Sequence, residues 1–293
     1  MRILITGATG AIGRKLIAGL EKSDHNLRIL ARKKPLIFSE KIERAIGDLQ
    51  NIESLNKATR GIDVAIHLAG ITHTNISELY YKINTEGTKN LIKACRNNNI
   101  KRFIHISSRA ACREGGSYAE SKLLAEKFLK ESELDWTILR PSEVYGADKK
   151  EAISKLINII QKSQFVPIVG NGQYLLSPVY ADDLIQSILA ALKNNASLKK
   201  TYTIAGPETF TCNKMIDKIS EILGVKRIKI FLPLSLLKFL AFLFYILKIN
   251  IMVRDQIPRL LCEKSADISL SRKDLNFNPR TIEEGLRNII IKK

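Results

Sequence analysis

Residues 2–20 read RILITGATGAIGRKLIAGL. The apolar run RILIT predicts a buried strand, and Gly7, Gly10 and Gly13 follow it immediately before a helical pattern. Glycine lets the backbone turn tightly and approach a pyrophosphate, while a helix N-terminus offers N–H groups and a favourable dipole. Turns also use glycine for steric reasons alone. Because this pattern stands between a strand and a helix, however, it predicts a dinucleotide-binding site.

Strands and helices alternate outward from this turn. Further short apolar runs at 27–31, 64–69, 103–107 and 136–140 each predict a fully buried strand. Helical patterns, among them 75–98 and 117–132, lie between the strands. This alternation predicts an α/β fold, a doubly wound parallel sheet of the Rossmann type with right-handed crossovers.

The pattern changes after residue 146. Helical patterns at 153–163, 182–192, 213–223 and 282–291 surround the turn-rich stretch VGNGQ and a strand at 201–206. We therefore expect a Rossmann dinucleotide-binding domain at 1–146. Residues 147–293 are expected to form a smaller, mainly substrate-binding α+β region, from which some segments can return to the sheet.

Composition and cysteine spacing indicate the size of the core and the compartment of the protein. The chain has 293 residues, of which 45% are hydrophobic, so it can bury a full core. The segment MRILITGATG lacks the features of a signal peptide. Cys95, Cys112, Cys212 and Cys262 are widely separated, which predicts neither a metal site nor a disulfide framework. We expect reduced thiols and a cytoplasmic location.

The formal net charge of +18 raises the question of an anionic partner. The lysines are spread along the whole chain, and the longest basic cluster is Arg32-Lys33-Lys34. Aromatic residues make up only 6%, and no recognised nucleic-acid motif is present. We therefore predict no nucleic-acid partner.

The stretch FLPLSLLKFLAFLFYILKI at 231–249 is strongly apolar. Pro233, Lys238 and Lys248 interrupt it, so it is too short and too broken for a membrane span. Three interpretations remain: a buried helix of the substrate region, an interfacial helix in peripheral contact with a membrane, and a lid over an apolar substrate. The buried helix is the default, and the second interpretation would make the protein membrane-associated.

Tyr118 and Lys122 stand four residues apart in the helical pattern that follows GGS, so they share a helix face. Such a pair also occurs by chance on many amphipathic helices. The surrounding motifs decide between chemistry and coincidence. They are TGATGAIG (6–13), Gly47-Asp48-Leu49, HLAG (67–70), NTEGTKNL (84–91), HISS (105–108), YAESK (118–122), LRPSEVYG (139–146) and VGNGQYLLSPVYADDL (169–184).

Together these motifs resemble the extended short-chain dehydrogenases/reductases, in the NAD(P)-dependent epimerase/dehydratase branch, over nearly the whole chain. The resemblance implies a catalytic set of Ser108, Tyr118, Lys122 and Asn84, with Ser107 as the alternative serine, and no metal. It implies a cofactor-binding set of Gly7, Thr9, Gly10, Ala11, Ile12, Gly13, Asp48, Leu49, Leu68, Ala69, Gly70, Ser107, Tyr118, Lys122, Pro141 and Val144.

The chemistry of the pair follows from elementary acidity. A free tyrosine ionises near pH 10 and is a poor base at neutral pH, but a nearby ammonium group stabilises the phenolate. Tyr118 can then exchange a proton with a substrate alcohol while hydride moves to or from nicotinamide. The resemblance adds that Lys122 binds the nicotinamide ribose and that Ser108 holds the substrate oxygen.

The sequence departs from the family pattern in three places. Only ten positions separate Ser108 from Tyr118, so the usual intervening loop is largely missing. Arg109 and Ala110 stand where dehydratases carry an acidic pair, which disfavours dehydration. Leu176 occupies the position of the family's diphosphate-binding arginine, and Arg254 or Arg259 are the candidates to replace it.

The second strand ends in LRILARKK (27–34). NAD enzymes of this architecture carry an acidic residue here for the ribose 2′-hydroxyl, and none is present. Arg32 stands where it could pair with a 2′-phosphate, although a solvated basic loop would show the same sequence pattern. We therefore predict that Arg32 binds the cofactor and that NADP(H) is favoured, with NAD(H) as the alternative.

These features predict an oxidoreductase acting at a carbinol or carbonyl carbon of a small molecule, either a nucleotide sugar or a related hydroxy or keto compound. The alternatives are an NADPH-binding accessory subunit, similar to the one in respiratory complex I, and a reductase of an apolar, membrane-derived substrate. Relatives commonly pair through the helices that contain Asn84 and Tyr118, so a homodimer is expected.

Overall fold

The computed structural model describes residues 1–33, 38–149, 151–237, 239, 255–262 and 265–291. Seven parallel strands form the central sheet, in the order β11-β6-β5-β4-β1-β2-β3. They are β1 Arg2–Thr6, β2 Asn26–Ala31, β3 Glu43–Ile46, β4 Val64–His67, β5 Arg102–Ile106, β6 Asp135–Pro141 and β11 Lys200–Ile204. This confirms the predicted doubly wound sheet.

Helices cover both faces of the sheet. They are α1 Ala11–Leu20, α2 Ile52–Thr59, α3 Ser77–Tyr80, α4 Gly87–Asn97, α5 Gly116–Lys130, α6 Ala152–Lys162, α7 Ala181–Lys193, α8 Cys212–Ile222, α9 Gln256–Leu261, α10 Ser269–Leu275 and α11 Ile282–Ile291. A π-helical segment, Tyr81–Glu86, joins α3 to α4, and a 3-10 turn spans Asn195–Ser197.

The alternation of side chains along β1 shows why the sheet is covered twice. Ile3 and Ile5 belong to a core that includes residues of α1 and α7, whereas Leu4 belongs to a second core with residues of α2, α4 and α5. Successive side chains of a strand point to opposite faces, so an uninterrupted apolar run must be buried on both sides. The turn after β1 is thereby fixed at the carboxyl edge of the sheet.

Two further parts of the sheet bear on the sequence predictions. The sequence pattern does not mark β3, because this short edge strand contains Glu43 and Arg44 and is only partly buried. Beyond residue 146, β11 returns to the central sheet beside β6, and α7 packs into the core under β1. The central layer therefore includes segments from both halves of the chain.

The rest of the second half forms a separate small layer. Three two-stranded pairs build it: β7 Val144–Tyr145 with β10 Val179–Tyr180, β8 Phe165–Val169 with β13 Ile228–Leu232, and β9 Leu175–Leu176 with β12 Phe210–Thr211. A third core joins their inner side chains to α6, α8 and α11. This layer stands at the carboxyl edge, because β7 follows β6 directly.

The apolar stretch 231–249 is only partly described. Residues 231–237 and 239 lie among the described residues, and the remainder lies outside them. Leu237 is buried, while Leu236 and Phe239 are exposed. Within the described ranges, no helix combines the length and the apolar character needed to cross a bilayer.

Candidate active site

The three glycines of the first turn have different surroundings. Gly7 adopts φ +73°, and a Cβ there would lie 2.6 Å from the backbone nitrogen of Ala69. A Cβ on Gly13 would collide with the Gly7 carbonyl oxygen and with Ala8. By contrast, a Cβ on Gly10 would meet only the Gly7 oxygen, at 3.3 Å. Packing therefore requires Gly7 and Gly13, whereas Gly10 leaves open space above the turn.

That open space lies at the N-terminus of α1. Gly10 is the N-cap residue, no side chain caps the helix, and no acidic residue stands in its first turn. The leading N–H groups of a helix have no partner within it and carry a partial positive charge. Thr9 and Gly10 are exposed, and Ala11 and Ile12 are partly exposed. The turn thus fits the pyrophosphate of a dinucleotide.

The loop after β4 runs beside this turn. β4 pairs with β1, so Leu68, Ala69 and Gly70 follow immediately next to Gly7, and the Ala69 amide donates to the Thr6 hydroxyl at 3.3 Å. These residues therefore lie beside the turn at which the sequence predicts the cofactor to bind.

Asp48, Leu49 and Arg32 lie toward the other side of the turn, after β3 and β2. The Asp48 carboxylate accepts the Gln50 amide at 2.8 Å, and Leu49 is buried. Arg32 is exposed directly after β2, the neighbour of β1, and its side chain has no ion pair with any described residue. Its guanidinium group is consequently available at the edge where a ribose phosphate would be placed.

The two serines at the end of β5 point in different directions. The Ser107 hydroxyl donates to the buried Glu126 carboxylate at 2.5 Å, and Arg140 donates two hydrogen bonds to the same carboxylate. Ser108 lines the cavity in front of the sheet. Its oxygen accepts the Ala110 amide at 3.1 Å, which leaves its hydroxyl proton for another acceptor. The geometry therefore favours Ser108 over Ser107 as the group that faces a substrate.

Lys122 is buried beneath that cavity. Its Nζ donates to the Ile106 carbonyl oxygen at 2.8 Å, two residues before Ser108. Burial lowers the pKa of Lys122 to about 8, and the Glu126 carboxylate opposes this shift. Burial also lowers the pKa of His67 to about 3, and the Lys122 charge adds to this effect. A lysine in this environment is an ammonium group held without full hydration.

Beside His67, on β5, lies His105. Their rings stack at 5.3 Å. His67 bonds the hydroxyls of Thr6 and Thr88, whereas neither ring nitrogen of His105 has a partner among the described residues. Burial holds the pKa of His105 well below its ordinary range, so both rings are neutral under the site.

Tyr118 lies one turn before Lys122 on α5, with its ring at the cavity. The edge of Tyr80 packs against this ring at 5.7 Å, and the guanidinium group of Arg259 covers it at 4.4 Å from the centroid. Arg259 also donates to the Thr72 carbonyl oxygen at 3.1 Å. A cation over the ring attracts the π electrons and would stabilise a phenolate. Helix α9 thus covers the tyrosine that the motif identified.

A second contact joins the start of α9 to α5. Asp255 Oδ1 accepts the Tyr118 amide at 3.2 Å, and a Cβ on Gly116 would lie 2.5 Å from the same oxygen. The carboxylate therefore caps the first turn of α5 from a remote part of the chain. Burial raises the pKa of Asp255, and the hydrogen bonds from α5 oppose that shift.

Asn84 lies in the π-helical segment and is buried. Its amide oxygen accepts the Ile71 N–H at 2.8 Å, and its amide nitrogen donates to the Ile71 carbonyl and the Ser121 hydroxyl, both at 3.1 Å. The side chain thus links the loop after β4 to α5. It contacts neither the Tyr118 hydroxyl nor Lys122 Nζ, and its place in the structure is that of a positioning residue.

The cavity has a volume of about 480 Å³. Ser108, Tyr118, Pro141 and Val144 form the side nearest the sheet. The opposite side combines the apolar Leu237, Ile257 and Leu260 with the polar His73, Gln256 and Arg259. The site can therefore accept a ligand that has both a polar and an apolar part.

An ion pair closes one wall of the cavity. Arg109 donates to both carboxylate oxygens of Glu143, at 3.0 and 2.8 Å, and to the Ser177 hydroxyl at 3.1 Å. Leu176, at the position of the family's diphosphate-binding arginine, is buried in the small layer. Arg109 is paired with Glu143, whereas Arg259 forms no ion pair among the described residues and is held by the Thr72 carbonyl oxygen and the Tyr118 ring. Arg254, the other sequence candidate, lies outside the described residues.

Sequence reasoning did not find Asp255, Glu126 or the Arg109–Glu143 pair. None belongs to a spaced motif near its partner: Asp255 is 137 positions from Tyr118, and Glu143 is 34 from Arg109. The one local signal is Glu126, which stands one turn after Lys122 on the face that α5 turns to the sheet.

Comparisons with known proteins agree with this geometry. The profile of the NAD dependent epimerase/dehydratase family matches residues 3–205. An Escherichia coli O157:H7 protein, N-acetyl-alpha-D-glucosaminyl-diphospho-ditrans,octacis-undecaprenol 4-epimerase, is 26% identical over 80% of this chain and 76% of its own. Subunit 9 of the NADH dehydrogenase [ubiquinone] 1 alpha subcomplex from Dictyostelium discoideum is 27% identical over 96% and 82%.

Solved structures share the fold. UDP-glucuronic acid 4-epimerase from Bacillus cereus, determined with UDP-glucuronic acid and NAD, superposes with a TM-score of 0.77 at 24% identity, covering 98% of this chain and 97% of the other.

Proposed function

The chain belongs to the NAD-dependent epimerase/dehydratase family, and we propose that it inverts a secondary alcohol of a sugar carried on a diphosphate. It is an NAD(P)-dependent enzyme of the extended short-chain dehydrogenase type. The observation that carries the proposal is the placement of Ser108 and Tyr118 on one cavity, with the Lys122 ammonium one helical turn behind Tyr118.

Each residue of this set has a defined task. The Tyr118 oxygen takes the proton of the substrate hydroxyl, and the Lys122 ammonium stabilises the phenolate between turnovers. The Ser108 hydroxyl donates to the substrate oxygen as it becomes a carbonyl. When bound, the nicotinamide supplies the hydride acceptor and donor. Reduction from the other face restores the alcohol with Tyr118 returning the proton, so the reaction needs no external oxidant or reductant.

The proposed residues for the cofactor are the turn at Gly10, the start of α1 and the loop 68–70, with Lys122 for the ribose hydroxyls. No carboxylate stands at the end of β2, and Arg32 is exposed there. We therefore propose that the 2′-phosphate of NADP(H) pairs with Arg32. The Bacillus cereus structure holds NAD, but at 24% identity it shows only that the fold is shared.

The diphosphate is proposed because of the cation on the cavity wall. Arg259 faces the cavity, whereas Arg109 is neutralised by Glu143. A guanidinium group donates in a planar fork that matches phosphate oxygens. The E. coli relative acts, by its name, on a sugar diphosphate attached to undecaprenol. The apolar Leu237, Ile257 and Leu260 favour a carrier of that apolar kind over a nucleoside.

The test is an epimerisation assay with two sugar diphosphates, one on uridine and one on a polyprenol. Formation of the epimer is followed by proton NMR. Tyr118→Phe keeps the ring but removes the proton-carrying oxygen, so turnover should fall by about 10²–10⁴-fold. Tyr81→Phe is the matched control, because that hydroxyl bonds the exposed Glu120 at 2.6 Å. Wild-type turnover in Tyr118→Phe would refute the assignment.

A second candidate is a cofactor-binding accessory subunit, which the similarity to the Dictyostelium subunit over 96% of the chain favours. Such a subunit needs the glycine turn but not a serine and a tyrosine on one cavity with a lysine behind them. The complete set therefore favours the enzyme. If the protein binds nucleotide but converts no sugar diphosphate or ketone, the subunit becomes the better description.

We also propose a homodimer. An open groove of about 980 Å³ runs between the ends of α4 and α5. Lys93 and Arg96 line its α4 side, and Glu131 and Glu133 line the other. Arg96 already pairs with Glu133 and Lys127 with Glu131 within the chain, so a partner related by a two-fold axis would have to exchange these exposed ion pairs between the two copies. A monomer mass by light scattering at micromolar concentration would contradict this arrangement.

A further inference from the structure

The parallel pair β8–β13 has one side in the core and one side in solvent. Phe165 lies opposite Ile228 in the register, and Pro167 lies opposite Ile230. All four are exposed, while Val166 and Ile168 between them are buried. We call Phe165, Pro167, Ile228 and Ile230 the outer apolar face. A two-stranded pair that turns four apolar side chains to water is unusual for a free surface.

This face continues into the segment that reaches the catalytic cavity. Leu236 and Phe239 come next in the chain after β13 and are 43% and 61% exposed, whereas Phe231, although 51% exposed, lies opposite the buried Ile168 on the other side of the pair. Between Leu236 and Phe239, Leu237 is buried and lines the same cavity as Tyr118. One short segment therefore presents apolar side chains to solvent and to the site.

Unpaired positive charge stands at the edge where β8 and β13 both begin. Lys162 ends α6 three residues before β8, and Lys226 precedes β13 by two. Both are exposed, and neither forms an ion pair with a described residue. Arg227 also stands here, donating to the carbonyl oxygens of Ile160 and Gln161. The edge thus joins apolar side chains to lysines, in a chain of net charge +18.

We propose that the outer apolar face, with Leu236 and Phe239, docks on the surface of an anionic lipid bilayer. Apolar side chains enter the boundary between headgroups and acyl chains, and lysines beside them attract acidic headgroups. The combination of an apolar face and a basic edge fits this surface. The inference goes beyond the proposed function, and it would bring the cavity to the carrier of a polyprenyl-linked substrate.

The experiment uses the full chain and sedimentation with vesicles, without substrate or nucleotide. We expect binding to vesicles of mixed phosphatidylglycerol and phosphatidylcholine, and little binding to phosphatidylcholine alone. Ile228→Asp combined with Ile230→Asp should weaken binding by roughly tenfold or more. Lys162→Glu combined with Lys226→Glu should weaken it several-fold and reduce its dependence on salt. Ile46→Asp is the control, since Ile46 is 55% exposed on β3 at the far edge of the central sheet.

Three outcomes would overturn the proposal. The first is no binding to either vesicle. The second is equal binding by the wild type and the Ile228→Asp, Ile230→Asp variant, which would place the contact elsewhere. The third is self-association by light scattering that this variant abolishes, which would make a second copy the occupant. None depends on catalysis, so a failed vesicle assay leaves the epimerisation test standing, and a failed epimerisation test leaves the docking surface standing.

Discussion

The two sides of the catalytic cavity are built by different means. On the cofactor side, the turn after β1 and the loop after β4 are adjacent because two neighbouring parallel strands end there. On the substrate side, Asp255 and Arg259 both contact Tyr118. They lie at the N-cap and within the short helix α9, which is not part of the sheet. The first side is held by backbone packing and the second by individual polar contacts. Changes on the first side should therefore abolish binding, and changes on the second should tune it.

The largest expected effect lies on the cofactor side, at Gly10. In Gly10→Val a branched side chain would occupy the open space above the turn, where the pyrophosphate must approach. Nucleotide affinity should fall by about a hundredfold or more, while the free energy of unfolding changes little. Calorimetric titration and a denaturant series measure the two quantities. Gly19→Val, on the outer part of α1 with only ordinary contacts, is the control. Undiminished titration of the Gly10 variant would remove the turn from the site.

The next largest effect is expected at Lys122, where a substitution should raise the free energy of unfolding, whereas most substitutions of buried residues lower it. Burial lowers its pKa to about 8 from 10.5, so below pH 8 the folded protein carries the full cost of a buried ammonium. Between pH 8 and 10.5 the unfolded chain binds more protons, so stability rises with pH. In Lys122→Met the free energy of unfolding at pH 7 should therefore be higher than in the wild type, by on the order of 1–3 kcal/mol. The increase in stability between pH 8 and 10.5 should disappear, and the variant should be inactive.

Denaturant unfolding at pH 7 and pH 9.5 measures this difference. Lys127→Met is the matched control on the same helix, because the Lys127 side chain is 67% exposed. It should change neither the stability nor its pH dependence. A Lys122→Met variant that is less stable at pH 7 would mean that the hydrogen bond to Ile106 and the attraction of Glu126 outweigh the cost of burial.

On the substrate side the expected effect is smaller. Arg259→Gln removes the charge over the Tyr118 ring while keeping a donor for the Thr72 oxygen. A cation at such a ring contributes about 0.5–2 kcal/mol, so turnover should fall by roughly 3–30-fold. The pH–turnover profile of Arg259→Gln should move to higher pH, because the cation that stabilises a phenolate is gone, and Arg259→Lys, which keeps a cation there, should not show this move. The other charged groups near the ring, Lys122 and Asp255, are unchanged in both variants. Equal profiles for Gln and wild type would show that the stack is structural only.

The difference between the cofactor side and the substrate side also explains which parts of the fold and the site could be predicted from the sequence. The strands at 2–6, 27–31, 64–69, 103–107 and 136–140 were predictable because burial on both faces forces an apolar run, and the family motif led to Tyr118 and Lys122. The resemblance already put Ser108 ahead of Ser107, and the structure adds a physical reason, because Glu126 occupies the Ser107 hydroxyl.

The remaining parts depend on long-range contacts. The sequence contains no local reason for Asp255 to cap α5 or for Arg259 to cover Tyr118, since each contact spans more than a hundred positions. The outer apolar face was equally invisible, because FVPIV and IKIFL are short apolar runs, and such runs predict burial on both faces. Only the register of β8 and β13 shows that the two exposed sides combine.

The smallest expected effect returns to the cofactor side, at its rim. Arg32 is exposed, so its pairing with a 2′-phosphate would be screened by solvent and worth about 1 kcal/mol. Arg32→Asp should weaken NADP(H) by roughly five- to tenfold relative to NAD(H), because the new carboxylate repels the phosphate and can accept from a free ribose hydroxyl. Competitive titration with both nucleotides gives the ratio, and Lys33→Asp tests whether any acidic change nearby has the same result. Equal loss of both nucleotides would show that Arg32 does not recognise the phosphate. The cofactor side would then recognise its ligand only through the backbone of the glycine turn and of the loop after β4.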